Sequence, residues 1–110
     1  MDWQLTITAV AEPTGLRLTG EIDLATTTDL ELALEPLLAA GDNVMLDLAG
    51  LTFIDVTGMR LLAHTALHLR SAGRQLRLLR ASEHVRRLSG LLGWADLLGL
   101  ARREGEHARV

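Results

Sequence analysis

Five residues near the middle of the chain, Val44-Met45-Leu46-Asp47-Leu48, are apolar but for one acid. A strand with one wet face alternates. A nearly continuous apolar run instead implies a central strand covered on both faces, with parallel neighbours. The flanks agree. Before the run, Leu30, Ala33, Leu34, Leu37 and Leu38 recur at helical spacing, and after it so do Leu61, Leu62, Thr65, Ala66 and Leu69. Ahead of both, WQLTITAV (3–10) and LRLTG (16–20) alternate apolar and polar about Glu12-Pro13-Thr14-Gly15, the pattern of a hairpin.

Start and stop signals divide the rest. Thr28 with Glu31 forms a capping box for the first helix. Pro36 lies inside that helix and predicts a kink or an early end. Gly41-Asp42-Asn43 stops it. Residues 49–56 read as a loop, and Gly73 ends the second helix. QLRLLR (75–80) reads as a strand. Ser82 caps a third helix with Val85, Leu88, Leu91 and Leu92 inward. Leu97 to Leu100 suits a short last strand, and 101–110 is either a frayed tail or a short helix. The expected fold is a single α/β domain over 1–110, with a mixed four- to five-stranded sheet and helices mainly on one face. Trp3 and Trp94 are expected at the edge of the core.

Composition removes several chemistries. There is no Cys, hence no disulfide, thiolate zinc site or Cys nucleophile. All 11 Lys+Arg residues are Arg, so no lysine serves a phosphate loop, a Schiff base or a phosphorelay receiver. Acids crowd residues 1–55 and arginines crowd 56–110, but the basic half has no interleaved aromatics, so direct nucleic-acid binding is not expected. The N-terminus MDWQLTITAV lacks a basic n-region and a long apolar run. No stretch is long and uncharged enough for a bilayer span, so a cytoplasmic protein is expected.

The stretch FIDVTGMRLL (53–62) carries the functional question. On the residues alone, Thr57 is a helix N-cap. The same place is also a positive helix end with free N–H groups, where a phosphoryl group on the hydroxyl would be favoured. Gly58 is weak in a first helical turn by roughly 0.5–1 kcal/mol and asks for a reason. It either leaves the hydroxyl approachable by another protein or packs tightly against a neighbouring loop.

GEIDLATT (20–27), VMLDLAGLTFIDVTG (44–58), the following MRLLAHTALHLRSAG and the late VRRLSGLLGWADLL together resemble the STAS domain. The likeness is to its bacterial anti-sigma factor antagonists and spans nearly the whole chain. That resemblance implies a protein that binds an anti-sigma factor, itself a GHKL-type serine/threonine kinase. It further implies inactivation by phosphorylation of the hydroxyl residue before the motif's glycine, here Thr57. Val56 stands where the family often has Ser, leaving a single hydroxyl in the motif. Thr at 57 departs from the usual Ser and is known in scaffold-type relatives. Asp55 matches the motif's acid, and Asp23 matches an acid placed near the phosphorylation site. The implied docking surface comprises Asp23, Asp55, Val56, Gly58, Met59 and Leu61.

Plainer roles stand beside these. Asp55 could hold loop N–H groups, Asp23 could shape a turn, and Asp47 is expected to be structural. His64 and His68 are one turn apart, a spacing that suits a metal, but His84 and His107 look remote and no HExxH occurs. His64 is two turns from Thr57, roughly 10 Å, too far to act as its base. No enzyme, metal or other cofactor is therefore expected. Monomer and weak homodimer both stay open. The alternative function is a scaffold or transport-associated STAS module in which Thr57 only caps a helix.

Overall fold

The computed structural model describes residues 4–12 and 14–100. Its order is β1 (Leu5–Val10), β2 (Gly15–Ile22), α1 (Thr27–Ala40), β3 (Val44–Ile54), α2 (Val56–Ser71), β4 (Leu76–Leu79) and α3 (Glu83–Leu92). The strands form one sheet in the order β1-β2-β3-β4. β1 and β2 are the expected antiparallel hairpin, from Leu5 opposite Gly20 to Val10 opposite Gly15. β2–β3 and β3–β4 are parallel. The expectations for Trp3, Pro13 and 101–110 fall outside the described residues.

One buried cluster takes Leu16 and Leu18 from β2, Leu46 and Leu48 from β3, Leu76 and Leu78 from β4, and residues of all three helices. The helices therefore cover one face. The other face carries exposed Thr8, Arg17, Thr19 and Arg77. Asp47 also points there, yet it is buried, because Arg17 and Arg80 lie over it. Its carboxylate accepts from Arg80 Nε at 3.1 Å, Arg17 Nε at 3.4 Å and the Ala49 N–H at 3.1 Å, and it also pairs with Arg80 Nη2. The Arg80 hydrogen bond leads in holding its pKa down to about 2. Arg80 itself sits at φ 57, a left-handed conformation unusual for a side-chain-bearing residue. Asp47 thus has the structural role expected of it.

Four local expectations are corrected. β3 continues to Ile54 through the segment read as a loop. It is buried throughout Val44 to Leu48 and after that only at Leu51 and Ile54, three residues apart, which breaks the period of two. Two register shifts against β2 absorb the extra residues, so the strand continues where alternation does not. Second, the N-cap of α1 is Thr26 rather than Thr28, and its side chain makes no capping hydrogen bond. Third, α1 does not end early at Pro36 but runs to Ala40, where Gly41 stops it as expected. Pro36 is on the exposed side, and the last turn is fastened from outside. Arg74 donates to the carbonyls of Leu37 (2.8 Å), Leu38 (2.7 Å) and Asp42 (2.8 Å), occupying acceptors a helix end leaves open. Fourth, 97–100 is not a strand. The N–H groups of Leu98, Gly99 and Leu100 are spent on Trp94, Asp96 and Ala95, leaving one bond to the sheet, from Leu78 N–H to Leu98 O at 3.3 Å.

Ser82 caps α3 as expected, accepting from Val85 N–H at 3.2 Å. Leu91, read as inward, is 79% exposed, because the buried stripe of α3 passes through Val85 and Ser89. Trp94 packs at the edge of the core.

Candidate functional site

The β2–α1 and β3–α2 connections emerge side by side where the parallel strands end. Ile22 is paired with Ile54, and the Asp55 N–H donates to Ile22 O at 3.1 Å. In open α/β sheets this carboxyl-end edge is where binding sites gather.

Asp55, not Thr57, is the N-cap of α2. It has extended backbone, its carboxylate accepts from the Gly58 N–H at 2.9 Å, and its carbonyl accepts from the Met59 N–H at 2.9 Å. The helix therefore starts one residue earlier than expected, at Val56. Thr57 becomes the second helical residue, exposed, with a hydroxyl that bonds none of the described residues. The cap role assigned to Thr57 from sequence is overturned: an Asp two positions earlier has an extended backbone and fills the same need.

Gly58 faces inward. A Cβ there would lie 2.7 Å from Ile22 Cγ2 and 2.8 Å from Ile54 Cγ1, both on fully buried side chains. Of the two reasons offered for this glycine, tight packing accounts for it, although the neighbours are strand ends rather than a loop. Met59 is wholly buried and belongs to the core. Leu61 is half-buried and lines a groove of about 230 Å³ between α1 and α2, beside Leu34 and Leu38. Neither Gly58 nor Met59 can touch a partner directly; both hold the turn that presents Val56 and Thr57.

Asp23 organises the neighbouring loop. Its Oδ1 accepts from the N–H of Ala25 (3.0 Å) and Thr26 (3.2 Å), while Thr26 Oγ1 donates to Glu21 O at 3.1 Å. Both acids predicted for the site thus perform the plainer loop duty too. No described cation is paired with either, so both charges stay at this edge.

Three residues at this edge were missed. Leu24 is 76% exposed and Val56, which was predicted, is 44% exposed; Phe53 beside them is 41% exposed. His84, remote from His64 and His68 as expected, belongs to this edge instead: its Nε2 lies 3.0 Å from Ile54 O and its ring stacks on Phe53 with centroids 5.6 Å apart and planes at 17°. A carbonyl only accepts, so Nε2 carries the proton. The exposed apolar Leu24 and Phe53 were legible as sequence. The exposure of Phe53 was not, because a bulged strand hides which face a residue takes.

His64 and His68 line the α1–α2 groove with Glu31 and Glu35. Among the described residues no three His, Asp or Glu side chains gather closely enough to hold a metal ion. A cavity of about 400 Å³ beside Arg70, Arg77 and Leu100 lies at the start of β4, the opposite end of the sheet from Thr57. No helix among the described residues is long and apolar enough to cross a membrane.

A hairpin-led mixed sheet with helices on one face, presenting an exposed threonine on a capped helix start beside two acids, defines a small α/β domain of one recognisable class. A family profile described as "Mlab, STAS domain" matches residues 5–99, and the chain belongs to the STAS domain family. An anti-sigma-B factor antagonist of Staphylococcus epidermidis is 34% identical over 80 residues, covering 72% of this chain and 74% of the relative. Two solved structures share the fold. An anti-sigma factor antagonist from Mycobacterium paratuberculosis superposes with a TM-score of 0.81 at 21% identity, covering 98% of this chain and 94% of that one. The anti-sigma factor antagonist SpoIIAA in its unphosphorylated form gives 0.67 at 18% identity, covering 94% and 93%.

Proposed function

We propose that this protein is an anti-sigma factor antagonist: it binds an anti-sigma factor of the GHKL kinase type, and phosphorylation of Thr57 releases it. It acts by binding in the cytoplasm and is not itself an enzyme. The observation that carries the reading is the free, exposed Thr57 hydroxyl on a helix start already capped by Asp55. A cap hydroxyl is occupied; this one is available. The name of the staphylococcal relative supports an anti-sigma factor as the partner.

The physical consequence of phosphorylation follows from this arrangement. A phosphoryl group adds about −1.5 to −2 charge at neutral pH. The N–H groups of Val56 and Thr57 have no acceptor within α2, and the helix end favours an anion. Phosphothreonine is therefore tolerated where it stands without a change of fold. What changes is the surface. Asp23 and Asp55 already make this edge negative, and a partner shaped around a neutral threonine meets added bulk and repulsion.

Two variants test this against a purified anti-sigma factor from the same host. Thr57→Ala should bind like the unaltered protein and lose release by ATP. Thr57→Glu should bind more weakly. If both bind and respond to ATP like the unaltered protein, the switch is refuted.

The family match is equally compatible with a second reading, a scaffold or transport-associated STAS module that binds without phosphorylation. Thr57 would then be a plain contact residue rather than a cap. Under this reading ATP and the anti-sigma factor leave the protein unmodified.

A further inference from the structure

The partner surface has an anchor that the Thr57 motif does not contain. Phe53 is the only phenylalanine in the chain. In a protein so poor in aromatics it would be expected in the core, yet it stands 41% exposed at the carboxyl end of β3, two residues before the Asp55 cap. His84 from α3 holds it there, stacking on its ring and donating to the next carbonyl, that of Ile54. One side chain thus fixes both the orientation of Phe53 and the strand end from which Thr57 is presented. An aromatic side chain held in a single orientation loses little entropy on binding, and such residues dominate interface energetics.

We propose that the Phe53–His84 pair is the aromatic anchor of the partner surface, with His84 the residue that positions Phe53. The proposal rests on the reading of this edge as the site of anti-sigma factor binding. The occupant is that protein, through an aliphatic pocket with a cationic rim. The rim follows from charge. Glu21 is the register partner of Phe53, Asp23 and Asp55 flank it, and no described cation neutralises any of the three. Cations around the pocket would meet this ring of carboxylates, while Thr57 meets the close-packed part of the interface.

The contacts of His84 can be separated. His84→Phe keeps a ring to stack on Phe53 and removes the donor; His84→Gln keeps a donor for Ile54 O and removes the ring. Affinity for the purified host anti-sigma factor is measured by surface plasmon resonance, with a thermal melt for every variant. Phe53→Ala should weaken binding about thirtyfold, as for a hot-spot aromatic. His84→Gln should weaken it about fivefold and His84→Phe should stay near the unaltered protein, because stacking is what positions the ring. Leu32→Ala, at an exposed leucine on the far side of α1, should bind normally. A purely structural histidine would give the reverse order, His84→Phe weak and less stable with His84→Gln normal. That order, or full-strength binding by Phe53→Ala, overturns the proposal. If the unaltered protein itself does not bind, the functional reading fails first and the anchor with it.

Discussion

Gly58 offers a direct test of why the helix start is built as it is. Replacing it with alanine should help an ordinary helix, since glycine costs roughly 0.5–1 kcal/mol relative to alanine. Here the new methyl would sit 2.7 Å from Ile22 Cγ2 and 2.8 Å from Ile54 Cγ1. Both isoleucines are β-branched, wholly buried and pinned in paired strands, so neither can swing aside. Forcing a methyl into such a site costs about 1–3 kcal/mol, which outweighs the propensity gain and leaves a net loss of about 1–2 kcal/mol. For a domain of about this size that is a fall in Tm of about 4–15 °C. Gly90, in α3, supplies the control: a Cβ there meets nothing within 4 Å, so Gly90→Ala should stabilise by about 0.5–1 kcal/mol. Urea denaturation of both variants, with unchanged m-values, measures the two signs. If Gly58→Ala is as stable as the unaltered protein, packing is not the reason for the glycine.

Two further outcomes follow from the same structure. Asp55→Ala should lose about 1 kcal/mol as the cap of α2 is removed, whereas Thr57→Ala should change stability by less than about 0.5 kcal/mol; equilibrium unfolding that ranks them the other way returns the cap to Thr57. Asp47 has a folded pKa of about 2 against an ordinary value of 3.8, so its contribution is fully present above pH 3.8 and is lost as pH falls toward 2. The partners Arg17 and Arg80 are 53% and 65% exposed, so water screening trims that contribution to about 1–2 kcal/mol. Acid titration of Asp47→Asn should accordingly lack part of the loss in stability that the unaltered protein shows below pH 4.

The fold was legible because its strongest signals are periodic and composed of several residues. The Val44–Leu48 run located the central strand, and the 3.6-residue patterns of α1 and α2 placed both helices on one face. What failed was what depends on single residues and distant partners. β3 outran its prediction because two register shifts disguise its alternation. α1 survived Pro36 with help from Arg74, some 36 residues away, a bond no local window contains. At the site, Thr57, Asp55 and Asp23 were found by their motif, but the motif says nothing of direction. It could not show that Gly58 and Met59 face the core, or that His84 folds back onto Phe53. Those facts come from strand register and from the position of α3, which the sequence specifies only through tertiary packing.

Phosphate mapping addresses the central claim most directly. The protein is incubated with ATP and the purified host anti-sigma factor, then digested and sequenced by mass spectrometry. A single phosphate is expected on Thr57, and none when Thr57 is replaced by alanine. Phosphate on the neighbouring exposed Thr52, or no modification at all, would contradict it.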